Sequence, residues 1–329
     1  MVFIAHCFFL ACATVWLVLA FARAANYFQR RALETLALPQ PDSLTSKEKR
    51  RLKHYFYGTT YLSIIFCTLR GHTRTRREKH IFTNLAALAY FFDDLVDAYR
   101  NQDDSGMLWE NNPEEYGKTA DERGLALHFL GNVYAELPPA DLGEFREFMH
   151  KVFNVETAGR QTSSTSALPI EALQRITAEK GGYSALLFRR VLAHPFAAGE
   201  QEAIFRFGHL IQLCDDIFDA WFDRQEGTVT VATTMLEQNK VPELVRLLEE
   251  QVALTKKAFF QTDYPYLYSR TAWGAVHFIV TVTRVCLRHY QVLSRQYPQL
   301  PLADRHAMVV DMEKWGNRLR SAYYLVAKI

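Results

Sequence analysis

Cysteine is scarce in this chain and follows no pattern. Five residues (Cys7, Cys12, Cys67, Cys214 and Cys286) are scattered over 329 positions, and no CxxC pair occurs. An odd, irregular set argues against a disulfide framework and against a structural zinc site, and makes a reducing compartment the default. Net charge is almost lacking too. At +2 it gives no global reason to expect nucleic acid or an acidic partner. There is no internal repeat and no low-complexity tract. Strand-like sequence is confined to "GTVTVATT" (227–234), which is too short to found a sheet. Apolar residues, in contrast, are plentiful. With 49% hydrophobic content the chain can build a sizeable core.

The N-terminus departs from the rest. "MVFIAHCFFLACATVWLVLAFA" is apolar for 22 residues except for His6 and Thr14. As a helix it would be about 33 Å long, enough to cross a bilayer. Arg23, Arg30 and Arg31 follow it and no Lys or Arg precedes it, so the positive-inside tendency puts the bulk of the chain in the cytoplasm. We read the run as a membrane anchor. Two readings compete: a signal peptide cleaved near "ARA" (22–24), which lacks its basic leader, and a helix packed on the domain. A soluble cytoplasmic protein is the alternative to an anchored one.

"LPQPD" (38–42) marks the joint between this segment, 1–41, and a main domain, 42–329. Thr45 and Glu48 have capping-box spacing and open a helix. Helices are expected near 46–70, 76–100, 119–136, 140–160, 169–194, 199–225, 241–261, 266–296 and 302–327. An all-α single domain follows.

Two acidic clusters interrupt this apolar pattern. "YFFDDLVDAY" (90–99) places Asp93, Asp94 and Asp97 in a run otherwise built for burial. Like charges one turn apart repel, and buried charges are costly unless compensated. About 120 residues later, "QLCDDIFDAWFD" (212–223) spaces Asp215, Asp219 and Asp223 at i, i+4 and i+8, so they line one helix face, with Asp216 beside them. Hard oxygen donors at this spacing suit magnesium, which binds through a few carboxylates plus substrate phosphates. Two or three Mg2+ ions around one diphosphate would act as Lewis acids on its leaving oxygen, with Mn2+ as an alternative.

On these motifs the chain resembles the class I isoprenoid synthase superfamily, which comprises all-α prenyl diphosphate synthases, terpene cyclases and head-to-head synthases. "FFDDLVD" is similar to the first aspartate motif, and "DDIFDAWFD" to the second, over roughly residues 46–327. The resemblance implies a helical bundle around a central cavity, with the apolar N-terminal helix as an addition. It implies metal ligation by Asp93, Asp94, Asp97, Asp215, Asp216, Asp219 and Asp223. Asp93, Asp97, Asp215 and Asp219 would be the catalytic residues.

It also implies cationic partners for a diphosphate. Lys180 in "EKGGYSALLFRR" (179–190) fits a lysine of the prenyl synthases. The Gly181–Gly182 pair beside it reads as a helix break that lets backbone approach a ligand, or as a tight helix crossing. Arg74 comes from the basic stretch "LRGHTRTRREKH" (69–80), which reads equally as a solvated turn or a contact for anionic lipid. Arg320 and Tyr324 complete the set from near the C-terminus. Phe91, Phe92, Phe188, Phe218, Trp221 and Trp273 are candidate walls for a cation pocket.

Chain elongation needs a second basic site. Lys47 and Arg50 have the Lys-x-x-Arg spacing but lack the flanking glycines, and Thr228 stands where a lysine is expected. A one-substrate enzyme fits best: a terpene cyclase converting a prenyl diphosphate to a hydrocarbon or alcohol. Elongating or head-to-head prenyl transfer is the runner-up, and a membrane-tethered helical binding protein without catalysis the third reading. No nucleic acid partner is expected, and a homodimer is left open.

Overall fold

The computed structural model describes residues 44–99, 122–162 and 168–311, with single positions between 19 and 36 and between 314 and 321. The side chains of 93–95, 97–99, 122, 123 and 160–162 fall outside that description. Among the described residues every regular element is a helix. They are α1 (Ser46–Leu69), α2 (Arg76–Tyr99), α3 (Glu122–Glu136), α4 (Pro139–Thr162), α5 (Ile170–Arg190), α6 (Glu200–Phe218), α7 (Ala220–Glu226), α8 (Val231–Glu237), α9 (Val241–Phe260), α10 (Tyr266–Gln296) and α11 (Arg305–Met308). The all-α expectation holds.

The described residues fall into two compact units. One takes residues from Thr14–Thr157 and Ser184–Phe196, the other from Ala158–Tyr183 and Ala197–Ile329. In the first, α1 starts as its sequence dictates. Thr45 Oγ1 accepts from the Glu48 N–H at 3.2 Å, and the Glu48 carboxylate accepts from the Thr45 N–H at 2.5 Å. This reciprocal cap satisfies two N–H groups the helix itself leaves without partners. Thr75 and Glu78 repeat the device for α2. The buried faces of α1 (Leu52, Phe56, Ile64) and α2 (Ile81, Phe82, Leu85) pack together, and α3 closes on α2 through Phe129, whose ring stacks on Phe91 at 5.9 Å.

In the second unit α6 is central. Ala203, Ile204, Phe207, Leu210, Leu213, Cys214 and Ile217 recur every three or four residues and are all buried. That stripe faces α9 and α10. Phe259 of α9 sits between Phe207 and Trp273, with 6.1 Å to each ring centroid. Burying such side chains stabilises by about 1.5–3 kcal/mol each.

Three expectations need correction. The β-branched run "GTVTVATT" ends in helix α8, because Thr230 and Thr233 cap each other and Val231, Ala232, Met235 and Leu236 are buried on one side. The helix expected over 199–225 is divided at Asp219, whose φ/ψ of −93°/5° ends α6 before α7 begins. The helix expected over 302–327 is interrupted, since α11 stops at Met308 and Val309–Asp311 are not helical. Among the described residues no helix is long and apolar enough to cross a membrane. The apolar run 1–22 lies outside them apart from Leu19 and Ala22, so the anchor expectation does too.

Candidate functional site

The second acidic cluster lies at the C-terminal end of α6 and along α7. The main chain keeps its ladder across the joint: the Asp219 N–H donates to the Asp215 carbonyl at 2.9 Å, and the Asp223 N–H to the Asp219 carbonyl at 2.8 Å. The i, i+4, i+8 register read from sequence therefore survives the break. Tyr290 of α10 donates its hydroxyl to the Ile217 carbonyl at 3.3 Å, which satisfies one of the carbonyls at the end of α6. Gly227, at φ 74°, closes α7. The Thr228 N–H reaches the Asp223 carbonyl at 2.8 Å and the Gly227 N–H that of Arg224 at 3.3 Å, the paired bonds of a Schellman motif.

The four acids have different surroundings. Asp216 is buried, and its carboxylate accepts from Thr177 Oγ1 of α5 and from Gln212 Nε2, each at 2.9 Å. Burial raises its pKa and those two hydrogen bonds oppose the rise. Asp215 keeps contact with solvent yet stands among enough protein atoms to lose hydration. That loss, ahead of the charges of Asp219 and Asp216, pushes its pKa to about 6. Asp223 is half-buried; lost hydration first, then the charges of Asp216, Asp219 and Asp215, push it to about 7. Asp219 is raised by lost hydration and by Glu226. Lys180 of α5 is the cation that opposes the shift at Asp215, Asp216 and Asp223. Four carboxylates against one ammonium leave negative charge that a divalent cation would neutralise, so the donor set fits a hard metal ion. Among the described residues no three His, Cys, Asp or Glu side chains converge into a ready-made cage. Magnesium does not need one, since it retains waters and takes substrate oxygens.

Lys180 reaches this face because α5 crosses α6 closely. A Cβ on Gly181 would lie 2.2 Å from the Gly208 carbonyl oxygen, and one on Gly182 would lie 2.4 Å from the Phe205 ring. Of the two readings of the glycine pair, the helix crossing is the one observed. Helix α5 runs through both glycines unbroken.

Asp93, Asp94 and Asp97 occupy the last two turns of α2, with side chains outside the described set. Arg320 is exposed and donates to Asn317 Oδ1 at 3.5 Å, while Tyr324 lies outside the described residues. Arg74 lines a cavity of about 300 Å³ next to the start of α2, in the unit that does not hold residues 215–223. Among the aromatic candidates, Phe91, Phe188 and Trp273 are buried core rings. Thr177 and Gln212 were missed. Their signal was spacing: Thr177 is three residues before Lys180, and Gln212 four before Asp216.

Compared with known proteins, the chain matches no family model, no curated protein and no solved structure.

Proposed function

We propose that this chain is a magnesium-dependent class I terpene synthase, a cyclase with the superfamily's helical fold. It would break the allylic C–O bond of a prenyl diphosphate and release pyrophosphate with a terpene hydrocarbon or alcohol. One observation carries the reading. Asp215, Asp219 and Asp223 follow one another at four-residue intervals, short of positive charge, with Lys180 beside them.

In this reading Asp215, Asp219 and Asp223 hold metal, and the resemblance of "FFDDLVD" to the first aspartate motif makes Asp93 and Asp97, with Asp94 in support, candidate ligands on sequence grounds. Bound magnesium supplies Lewis acidity to the leaving diphosphate oxygen. Asp216, its carboxylate engaged by Thr177 and Gln212, fixes α5 against α6 and steadies Lys180. Lys180 then offers its ammonium to a diphosphate oxygen, a charge-assisted hydrogen bond.

The test is incubation of the purified chain with prenyl diphosphates of several lengths, with and without isopentenyl diphosphate. Hydrocarbon or alcohol from a single prenyl diphosphate, dependent on Mg2+, supports cyclisation. A longer diphosphate formed only from both substrates would replace this reading with chain elongation. No product from any of them favours a binding protein.

A further inference from the structure

The cavity beside the start of α2 has no part in the chemistry proposed above. Lys79 and Asp93 are 14 positions apart in α2, so their backbones are separated by about 21 Å along the helix. The cavity is bordered by Arg23, Arg74 and Lys79, together with His72, Thr68 and Thr73. Its apolar side is made by Phe56, Ile64 and Cys67, each buried. We propose that this cavity is a binding site for a phosphate-bearing ligand, a phosphomonoester or diphosphate with an apolar portion.

Charge is the first argument. Three cationic side chains, Arg23 from one stretch and Arg74 and Lys79 from another, line about 300 Å³. The buried carboxylate beside them is Glu78, and its two oxygens are engaged by the main-chain N–H groups of Thr75 (2.7 Å) and Ala193 (2.9 Å). Among the described residues Arg74 and Lys79 make no hydrogen bond or ion pair through their side-chain nitrogens. Burial pulls the Arg74 pKa down, and the charge of Glu78 is among the influences that oppose the fall.

Chemistry is the second argument. A carboxylate brings two oxygens and one charge, too little for two guanidiniums, an ammonium and two hydroxyls. A phosphate group brings three or more acceptor oxygens and close to two charges, and Arg binds it through paired N–H groups. The apolar side lowers the local dielectric, which strengthens these contacts, and can take an alkyl portion. Arg23 directly follows the apolar run 1–22. The same chemistry could therefore come from a lipid headgroup or from a soluble phosphate.

The experiment uses the full chain in EDTA, where the acidic cluster has no divalent cation to hold an anion. Inorganic pyrophosphate is titrated by calorimetry into wild type, Lys79→Gln, Arg74→Gln/Lys79→Gln and Asp215→Asn/Asp219→Asn. Vesicles of phosphatidylcholine with and without phosphatidic acid form a second arm. Wild type should bind pyrophosphate in EDTA, and the double basic variant should bind roughly ten-fold more weakly or worse. Lys79→Gln, at an exposed position that will not disturb folding, should weaken binding measurably. The acidic variant should bind as wild type does. Pyrophosphate binding without preference for phosphatidic acid assigns a soluble phosphate. Preference for phosphatidic acid, displaced by pyrophosphate and weakened by Lys79→Gln, assigns a lipid. Absence of both kinds of binding overturns the proposal, as does binding that the basic variants leave unchanged. Neither failure bears on Mg2+-dependent turnover.

Discussion

Gly181→Ala isolates the packing that places Lys180. The added methyl would sit 2.2 Å from the Gly208 carbonyl oxygen, 2.6 Å from Gln212 Cβ and 2.7 Å from the Gly208 carbonyl carbon. Two of those three atoms are main chain, so no side chain can rotate out of the way. Ordinary contact begins near 3.4 Å, so the two helices must separate by about 1.2 Å locally. Overpacking of this kind costs roughly 1–3 kcal/mol. Alanine recovers about 1 kcal/mol of helix propensity over glycine. The net expectation is a loss of up to about 2 kcal/mol, read as a lowered midpoint in thermal unfolding followed by circular dichroism. Gly182→Ala is the control. The three atoms nearest its methyl all belong to the Phe205 ring, from 2.4 Å, and a half-buried side chain can swing away. Its midpoint should fall less. The separation in Gly181→Ala also loosens the Thr177 bond to Asp216, so activity should fall further than stability alone accounts for. A Gly181→Ala variant as stable as wild type would show that propensity outweighs contact and that the crossing is loose.

Other consequences follow from charge and burial. Asp215 and Asp223 have folded-state pKa values near 6 and 7, above the ordinary 3.8. The folded state then holds protons that the unfolded chain releases. This cluster's contribution is therefore fully present below about pH 4 and is lost as pH rises through 6 to 7. The metal-free protein should melt higher at pH 5.5 than at pH 8, and Asp223→Asn should reduce that difference and stabilise at pH 8. Allowing for the water that still reaches Asp223, that gain is about 1–2 kcal/mol. Glu249→Ala removes a two-pronged contact from Arg284, whose Nε and Nη2 donate to the carboxylate at 2.8 and 2.7 Å. It leaves a buried guanidinium with His277 Nε2 at 2.9 Å, and chemical denaturation should register a loss of about 1–3 kcal/mol. Burial, ahead of Glu78, pushes the Cys67 thiol to about 11, and burial pushes Cys214 and Cys286 to about 12. Iodoacetamide at neutral pH should leave all three unmodified in the native protein and label them after denaturation.

The helices legible in sequence were those with long apolar periods and side-chain caps. The start of α1 was fixed by Thr45 and Glu48, and the bounds of α9 and α10 fell within a residue of expectation. Helix α8 was not legible, because its cap is a Thr230–Thr233 pair rather than the usual Ser or Thr with Glu or Gln. Its β-branched residues form a helix because one side of it is buried, and burial depends on neighbours distant in sequence. The glycine pair is similar. Sequence shows a missing Cβ, but not that the Gly208 main chain, 27 positions on, occupies the space. At the site, the acidic register was readable from spacing alone. The role of Thr177 became apparent only once α5 and α6 were placed side by side, whereas Gln212 meets Asp216 one turn on within α6.

Pyrophosphate release from a prenyl diphosphate tests the central claim most directly, measured for wild type and Asp219→Ala in Mg2+ and in excess chelator. The account predicts release by wild type in Mg2+, none in chelator, and at least a hundred-fold loss in a folded Asp219→Ala protein, roughly 3 kcal/mol of barrier. Release that persists in chelator, or that Asp219→Ala leaves intact, would contradict it.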